Sequence, residues 1–173
     1  MLAAGCHAGG FPTHVGHQRA ARIHLVHREV GLVAPPGQPV PSLERLAKLR
    51  LASRPHSAGV RGYLDEALKK AGLDPEGIHR QALLLDSHSE VACAVASGSA
   101  DVGLASRAWA ARVGLTFRLL TREAYGLIVH AHDLGDARVV QLCEIAQSQR
   151  FRREAGAVPG YDADGAGEIK YDA

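Results

Sequence analysis

Residues 87–107, SHSEVACAVASGSADVGLASR, contain a predicted helix start at each end and one short apolar strand between them. Ser87 and Glu90 are three positions apart, which is the spacing of a capping box, and the apolar residues after them run on to Gly98. The pattern predicts a helix over about residues 89–97 whose amino end is fixed at Ser87.

A strand and a second helix follow this glycine. Residues 101–105, DVGLA, predict a short buried strand of a parallel sheet. Ser106 is then placed to cap a helix that runs to Gly114. We therefore expect two helix amino ends to point at one crevice, where unpaired N–H groups and the helix dipoles favour an anion.

Similar units extend along the chain in both directions. Before residue 87 the sequence predicts strands at 23–35, 50–53 and 81–85, and helices that begin at Ser42 and Ser57. After residue 114 it predicts strands at 116–120 and 125–129, helices at 136–147 and 151–155, and a surface tail from Val158; residues 1–22 are expected to be loop or a loosely held helix. Alternating strands and helices predict an α/β fold with a doubly wound mixed sheet, in which ligands bind at the carboxyl ends of the strands.

The composition is typical of a folded globular protein, with 46% apolar and 22% charged residues. The net charge of +2 comes from 20 basic and 18 acidic residues spread along the chain, so we expect no direct contact with nucleic acid. No stretch predicts a membrane span or a secretory signal, and three unpaired cysteines indicate a reducing environment, so we expect a cytoplasmic protein. Cys93 is expected to be a small core residue of its helix.

Five stretches together indicate a family: GLVAPPGQPVPSLERLA, RPHSAGVRGYLDEAL, AVASGSADVGLAS, EAYGLIV and FRREAGAVPGYDADGAGEI. On these motifs the chain resembles type II periplasmic-binding-protein-like domains, in particular the cytoplasmic molybdate-binding-like version that is often fused to DNA-binding regulators. The resemblance implies two lobes joined by two crossing strands, with the ligand held between the lobes.

The resemblance also implies how the chain is divided. Residues 1–173 form a single binding-protein-like domain, in which residues 36–121 are a complete second lobe. Residues 1–35 and 122–173 supply the crossing strands and a remnant of the first lobe, which is largely missing. Helices near residues 139–145 then expose apolar surface, and we expect a homodimer or a partner lobe to cover it.

The same resemblance points to a binding site for a small anion at the helix starts of the second lobe. Its residues are Ser57, Ala58, Ser87, His88, Ser89 and Ser106. Ser106 stands where molybdate binders have a tyrosine hydroxyl. For any single serine, plain helix capping is an alternative that needs no ligand; what favours a site is that three helix starts follow three successive strands.

Other kinds of site are less well supported by the sequence. Ten histidines include the pairs His14/His17, His24/His27 and His130/His132, and Cys6 and His7 lie near the first pair. His24 and His27 are expected on opposite faces of a strand and His130 and His132 on one face, so no complete metal site is predicted. The sequence has no catalytic or cofactor-binding signature, and we predict neither an enzyme nor a bound cofactor.

These observations favour a ligand-sensing or solute-binding domain for a small anion, such as a molybdate-like oxyanion, that is the effector part of a transcription-regulator-type system. A small hydrolase that uses His88 and Ser57, or a metal-binding protein that uses the N-terminal histidines, is one alternative. A truncated remnant that binds nothing is the other.

Overall fold

The computed structural model describes residues 2–5, 14–15 and 18–171, with side chains described for residues 19–171. Within these residues the strands are β1 (Leu2–Gly5), β2 (His14–Val15), β3 (Gln18–Ala34), β4 (Leu51–Ser53), β5 (Leu83–Leu84), β6 (Val102–Ser106), β7 (Thr116–His130), β8 (Tyr161–Asp162) and β9 (Ile169–Tyr171). The α-helices are α1 (Gly59–Lys70), α2 (Pro75–His79), α3 (His88–Ala96), α4 (Arg107–Arg112), α5 (Ala137–Gln147) and α6 (Gln149–Gly156), and 3-10 helices span Leu43–Lys48 and Ala131–Gly135. The predicted α/β fold with a mixed sheet is confirmed.

The chain forms two compact units. One is the continuous segment Glu29–Arg122, here called the inserted unit; the other combines Met1–Arg28 with Glu123–Ala173 and is called the terminal unit. The long strands β3 and β7 each pass from one unit into the other. No helix of the described residues is both long and apolar enough to cross a membrane.

In the inserted unit, β6 lies between β3, to which it is antiparallel, and β4, to which it is parallel; β5 is the outer strand and is parallel to β4. One face of this sheet packs against α1 and the other against α3. The first core contains Leu32, Leu51, Leu64, Leu68 and Leu104, and the second contains Val33, Ala52, Val91, Val95 and Ala105. Burial on both faces explains why β6 has no polar side chain before its last residue, Ser106.

In the terminal unit, β1 is antiparallel to β7, and β8 and β9 are antiparallel to β3. Helices α5 and α6 pack on this sheet around the buried side chains of Ile23, Val129 and Ala146. In α5, Val139 is buried while Val140 and Ile145 are exposed. The homodimer expected from apolar surface on this helix stays a prediction.

Three predicted elements differ from those in the structure. Strands predicted at 116–120 and 125–129 are one continuous strand, β7, which includes the polar residues between them. The strand predicted as buried at 81–85 is only the two-residue β5, and its leucines are exposed because they lie at the sheet edge. Residues 1–22 were expected to be irregular, but the described part contributes β1, β2 and the start of β3.

Two smaller expectations were also wrong. Cys93 is exposed, because α3 buries its neighbours Val91, Ala92 and Val95 on the other side of the helix. The rings of His24 and His27 lie 4.5 Å apart, which is too close for side chains on opposite faces of a flat strand.

Glycine is required at two points of β3 and β7, one in each unit. A Cβ atom on Gly31 would lie 2.1 Å from the carbonyl oxygen of Arg118, and one on Gly126 would lie 2.2 Å from that of Ile23. Both obstacles are backbone atoms, which cannot rotate away. The two long strands therefore approach each other more closely than any side chain would permit.

A buried charged cluster joins α1 and α2 in the inserted unit. Asp65 Oδ1 accepts a hydrogen bond of 2.9 Å from Arg61 Nε and lies 3.1 Å from His79 Nε2, and Glu76 lies at the rim of the cluster. Burial of the imidazole and the nearby charge of Arg61 lower the pKa of His79 from 6.5 to about 4, although Asp65 and Glu76 act in the opposite direction. His79 is therefore neutral in the folded protein at neutral pH.

This cluster predicts a pH dependence of stability. Because the folded pKa of His79 is lower than its unfolded value, the unfolded chain binds more protons, and the free energy of unfolding should fall as the pH decreases from about 7 to about 4.5. Urea denaturation of the wild type and of His79→Asn at several pH values measures this. The slope should be smaller in His79→Asn, and parallel curves for the two proteins would contradict the assignment.

Candidate functional site

Three loops meet at one edge of the sheet in the inserted unit. The neighbouring strands β5, β4 and β6 are parallel, so their carboxyl ends lie at the same edge. Each is followed by a helix start: Gly59 of α1 follows β4, His88 of α3 follows β5, and Arg107 of α4 follows β6. The six predicted site residues lie in the loops after β4 and β5, in the first turn of α3 and at the end of β6, so the topology brings them to one edge.

The start of α3 has the predicted capping box. Ser87 Oγ accepts a 3.1 Å hydrogen bond from the amide of Glu90, and Glu90 Oε2 accepts hydrogen bonds from the amides of Ser87 and Asp86, at 3.1 and 2.8 Å. The hydroxyls of Ser87 and Ser89 lie 2.8 Å apart. The Ser87 hydroxyl is thus engaged within the helix start, and Glu90 places a negative charge beside it.

The start of α1 is built differently from the prediction. Ser57 is exposed in a turn, closed by a 2.9 Å hydrogen bond from the amide of Ala58 to the carbonyl of Pro55, and the helix begins two residues after Ser57. Ala58 is the N-cap and has no side chain that can cap. The expectation that Ser57 caps this helix was therefore wrong, and among the described residues no side chain caps the first turn of α1.

Ser106 lies at the N-cap of α4, but its hydroxyl makes no capping hydrogen bond. The residue is 1% exposed and ends the buried strand β6. The sequence predicted that Ser106 lies at this N-cap. It did not predict that the hydroxyl makes no capping bond.

Ser53 is a candidate site residue that the sequence did not indicate. It is the last residue of β4, it is 0% exposed, and its hydroxyl has no hydrogen-bond partner in the described residues. A buried hydroxyl without a partner is unfavourable, which makes an unsatisfied one at the end of a parallel strand an unusual feature. The only sequence signal is a serine that ends the apolar stretch just before RPHSAG.

Basic residues lie beside this edge. Arg107 donates a 2.8 Å hydrogen bond to one oxygen of Glu29, and Arg122 donates a 3.0 Å hydrogen bond to the other. The hydrogen bond from Arg107, followed by that from Arg122, holds the pKa of Glu29 below its usual range in spite of its burial. Because two guanidinium groups share one carboxylate, these three side chains together keep one net positive charge next to Ser106.

Histidines do not assemble a metal site in the part of the chain that the structure describes, where no group of three or more potential ligands occurs. His130 and His132 have stacked rings 5.3 Å apart, but His132 lies in a 3-10 helix rather than on the strand expected for both. Cys6, His7 and His17 lie outside the described residues, as does the side chain of His14.

A mixed sheet whose parallel strands end at a row of helix starts defines an α/β ligand-binding domain. The model of the PBP superfamily domain matches residues 9–147. The chain belongs to this family, as the sequence resemblance predicted, and the family and fold are those of binding proteins rather than of enzymes.

Two curated relatives are similar to this chain in sequence. An uncharacterised protein of Clostridium pasteurianum, encoded 5′ of a 2Fe-2S ferredoxin gene, is 32% identical over 107 residues, which cover 61% of this chain and 95% of the relative. The uncharacterised protein YvgK of Bacillus subtilis is 27% identical over 152 residues, which cover 85% of this chain and 48% of YvgK. The chain thus spans about half the length of the Bacillus relative.

A solved structure has the same fold. The H₂O₂-bound C206S mutant of OxyR from Corynebacterium glutamicum has a TM-score of 0.58 and 16% sequence identity, with 86% of this chain and 49% of that chain covered. At this identity the likeness concerns the fold alone.

Proposed function

We propose that the protein is a ligand-sensing domain that binds a small oxyanion, such as molybdate, at the carboxyl edge of β5, β4 and β6. The proposed contacts are the backbone amides and hydroxyls at the three helix starts, from Ser57, Ala58, Ser87, His88, Ser89 and Ser106, together with Ser53. In this proposal residues 36–121 act as the second lobe of the family's domain, in the cytoplasm, as the effector part of a regulator.

The observation that carries the proposal is the pairing of an uncapped helix start with an unsatisfied hydroxyl. Within the described part of the chain, the amino end of α1 has no side-chain cap, and the loop that leads to it follows Ser53, whose buried hydroxyl has no partner there. An oxyanion could accept hydrogen bonds from both, and the dipole of this twelve-residue helix favours its charge.

The Ser87 hydroxyl has a smaller part in this proposal than the sequence suggested. It is occupied by the capping box, so α3 would contribute the amides of its first turn rather than this hydroxyl. Glu90 opposes an anion at that helix start, while Arg107 favours one near Ser106. We therefore place the ligand closer to α1 and β6 than to α3.

Thermal unfolding with molybdate, tungstate, sulfate or phosphate tests the proposal. A ligand at about a hundred times its Kd adds about 2.7 kcal/mol, which raises the Tm by roughly 5–10 °C for a chain of this size. One oxyanion should produce such a shift and the others a smaller one. If none of the four shifts the Tm, this chain alone does not bind these anions and the proposal fails.

Ser53→Ala distinguishes a ligand contact from a structural role. Because the hydroxyl is buried without a partner, its removal should not lower the Tm of the unliganded protein. The shift produced by the oxyanion should nevertheless shrink by more than half. Ser99→Ala, at the carboxyl end of α3, is the matched control and should keep the full shift.

A further inference from the structure

A buried arginine lies in the first turn of α1. Arg61 is 3% exposed, and its amide donates a 2.9 Å hydrogen bond to the carbonyl of Ala58 at the helix start. Buried arginines are rare unless they are paired, and the positive end of the helix dipole disfavours a cation at this position. The contacts of the side chain must therefore offset two unfavourable effects, and they show what it holds in place.

The guanidinium of Arg61 makes contacts in three directions. Nε donates a 2.9 Å hydrogen bond to Asp65 Oδ1, and Nη2 lies 3.7 Å from Glu76 Oε1, so two carboxylates face its charge. Nη1 donates a 3.3 Å hydrogen bond to the backbone carbonyl of Arg54, in the loop between β4 and α1. Because the guanidinium is planar and rigid, the alignment of Nε on Asp65 also fixes the direction in which Nη1 donates.

The peptide unit that Arg61 holds is unfavourable for an anion. It joins Arg54 to Pro55, and since proline has no N–H, this unit presents only a carbonyl oxygen. The turn that follows is closed by the 2.9 Å hydrogen bond from the Ala58 amide to the Pro55 carbonyl. A carbonyl oxygen repels an anion, whereas the amides of a helix start bind one. A carbonyl held by a buried guanidinium cannot turn towards a ligand at the start of α1.

We infer that Arg61 is a positioning residue for the proposed oxyanion site, where it holds the Arg54 carbonyl and so fixes residues 54–58 in the form that binds the ligand. The inference rests on the proposed function, because it assigns a role within that same site. A brace between α1 and α2 would need only the contacts with Asp65 and Glu76. The hydrogen bond to Arg54 connects this buried cluster to the loop.

Arg61→Lys tests the positioning in the unliganded protein. Lysine keeps the positive charge, but it cannot donate to Asp65 and to the Arg54 carbonyl in one fixed geometry. The Ala58 amide, whose hydrogen bond closes the turn, should exchange its hydrogen at least about tenfold faster in NMR measurements. This is the size of effect expected when a hydrogen bond from a charged group is lost.

Leu68→Ala is the matched control for this variant. Leu68 is 0% exposed and lies near the carboxyl end of the same helix, so its truncation destabilises α1 at the end remote from the loop. The exchange rate of the Ala58 amide should stay within about twofold of the wild-type rate, because this amide exchanges by local opening of the turn.

Binding affinity tests the link to the ligand. Calorimetric titration with molybdate, tungstate, sulfate and phosphate is carried out below the unfolding range of every variant, so that a loss of stability does not change the Kd. Arg61→Lys should weaken the binding of any of these anions that the wild type binds by at least about tenfold. Leu68→Ala should keep the wild-type Kd. A merely structural role would lower the Tm of both variants and leave both affinities unchanged.

Variants of Asp65 keep the test valid if Arg61→Lys does not fold. Asp65→Ala removes the acceptor of Arg61 Nε, so the exchange of the Ala58 amide and the oxyanion Kd should both rise by about threefold or more. Asp65→Asn retains an oxygen that can accept this hydrogen bond, and it should restore most of both properties.

Two results would overturn the inference. One is a wild-type exchange rate of the Ala58 amide in Arg61→Lys or Asp65→Ala; the other is an unchanged oxyanion affinity in these variants. If the amide exchanges faster but the wild type binds none of the four anions, the positioning of the loop by Arg61 is supported and the proposed function fails.

Discussion

Gly31→Ala should lower the free energy of unfolding by at least about 3 kcal/mol, which is at the upper end of overpacking effects. The added Cβ would lie 2.1 Å from the carbonyl oxygen of Arg118 and 3.0 Å from the amide nitrogen of Leu120. Since these are backbone atoms of β7, the strands must separate and weaken their pairing. Urea denaturation followed by the fluorescence of Trp109, the single tryptophan, reports on the inserted unit.

Gly62→Ala is the matched control for this substitution. Gly62 lies inside α1, and a Cβ there would meet no atom within 4 Å. Alanine has the higher helix propensity, so this variant should gain roughly 0.5–1 kcal/mol. If Gly31→Ala unfolds at the same urea concentration as the wild type, the close approach of β3 and β7 at this point is wrong.

Arg28→Met should destabilise the terminal unit by about 3–5 kcal/mol, the usual cost of removing one partner of a buried ion pair. Arg28 donates a hydrogen bond to Glu123 Oε1, and Glu123 is 1% exposed, with no partner for its other oxygen among the residues that the structure describes. Without the guanidinium the carboxylate is buried and uncompensated. Hydrogen exchange measured on peptides from β3 and β7 should show faster exchange in this unit.

The double variant Arg28→Met/Glu123→Gln separates charge from packing. The guanidinium of Arg28 also lies 4.4 Å from the ring centre of Tyr125, and that contact is lost in both variants. Only the single variant retains the buried charge, so the double variant should recover a large part of the lost stability. Equal stability of the two variants would show that packing, not charge, holds this pair together.

Local signals in the sequence predicted local structure well. The capping box of Ser87 and Glu90 requires only four consecutive residues, and it is present with both of its hydrogen bonds. The prediction for Ser57 used a similar pattern but failed, because a turn at residues 55–58 moves the helix start to Gly59. A serine before an amphipathic stretch does not reveal which of several loop residues becomes the N-cap.

Contacts between distant parts of the chain could not be predicted in this way. Glu29 pairs with Arg107 and Arg122, which are 78 and 93 residues away, and Arg28 pairs with Glu123 across 95 residues. These pairs depend on how β3 and β7 are aligned, which no local pattern specifies. For the same reason the unsatisfied hydroxyl of Ser53 becomes visible only once β4 is placed inside the sheet.

The inserted unit is one continuous segment, whereas the terminal unit combines two separated segments. The two units therefore become complete at different times during synthesis. Residues 29–122 are made as one stretch, so the whole inserted unit has been synthesised before residue 123 is added. The terminal unit must wait for β7, α5 and the strands at the end of the chain to reach β3. Until then, the part of β3 that precedes residue 29 lacks its partners in β8 and β9, and an exposed strand edge of this kind favours aggregation.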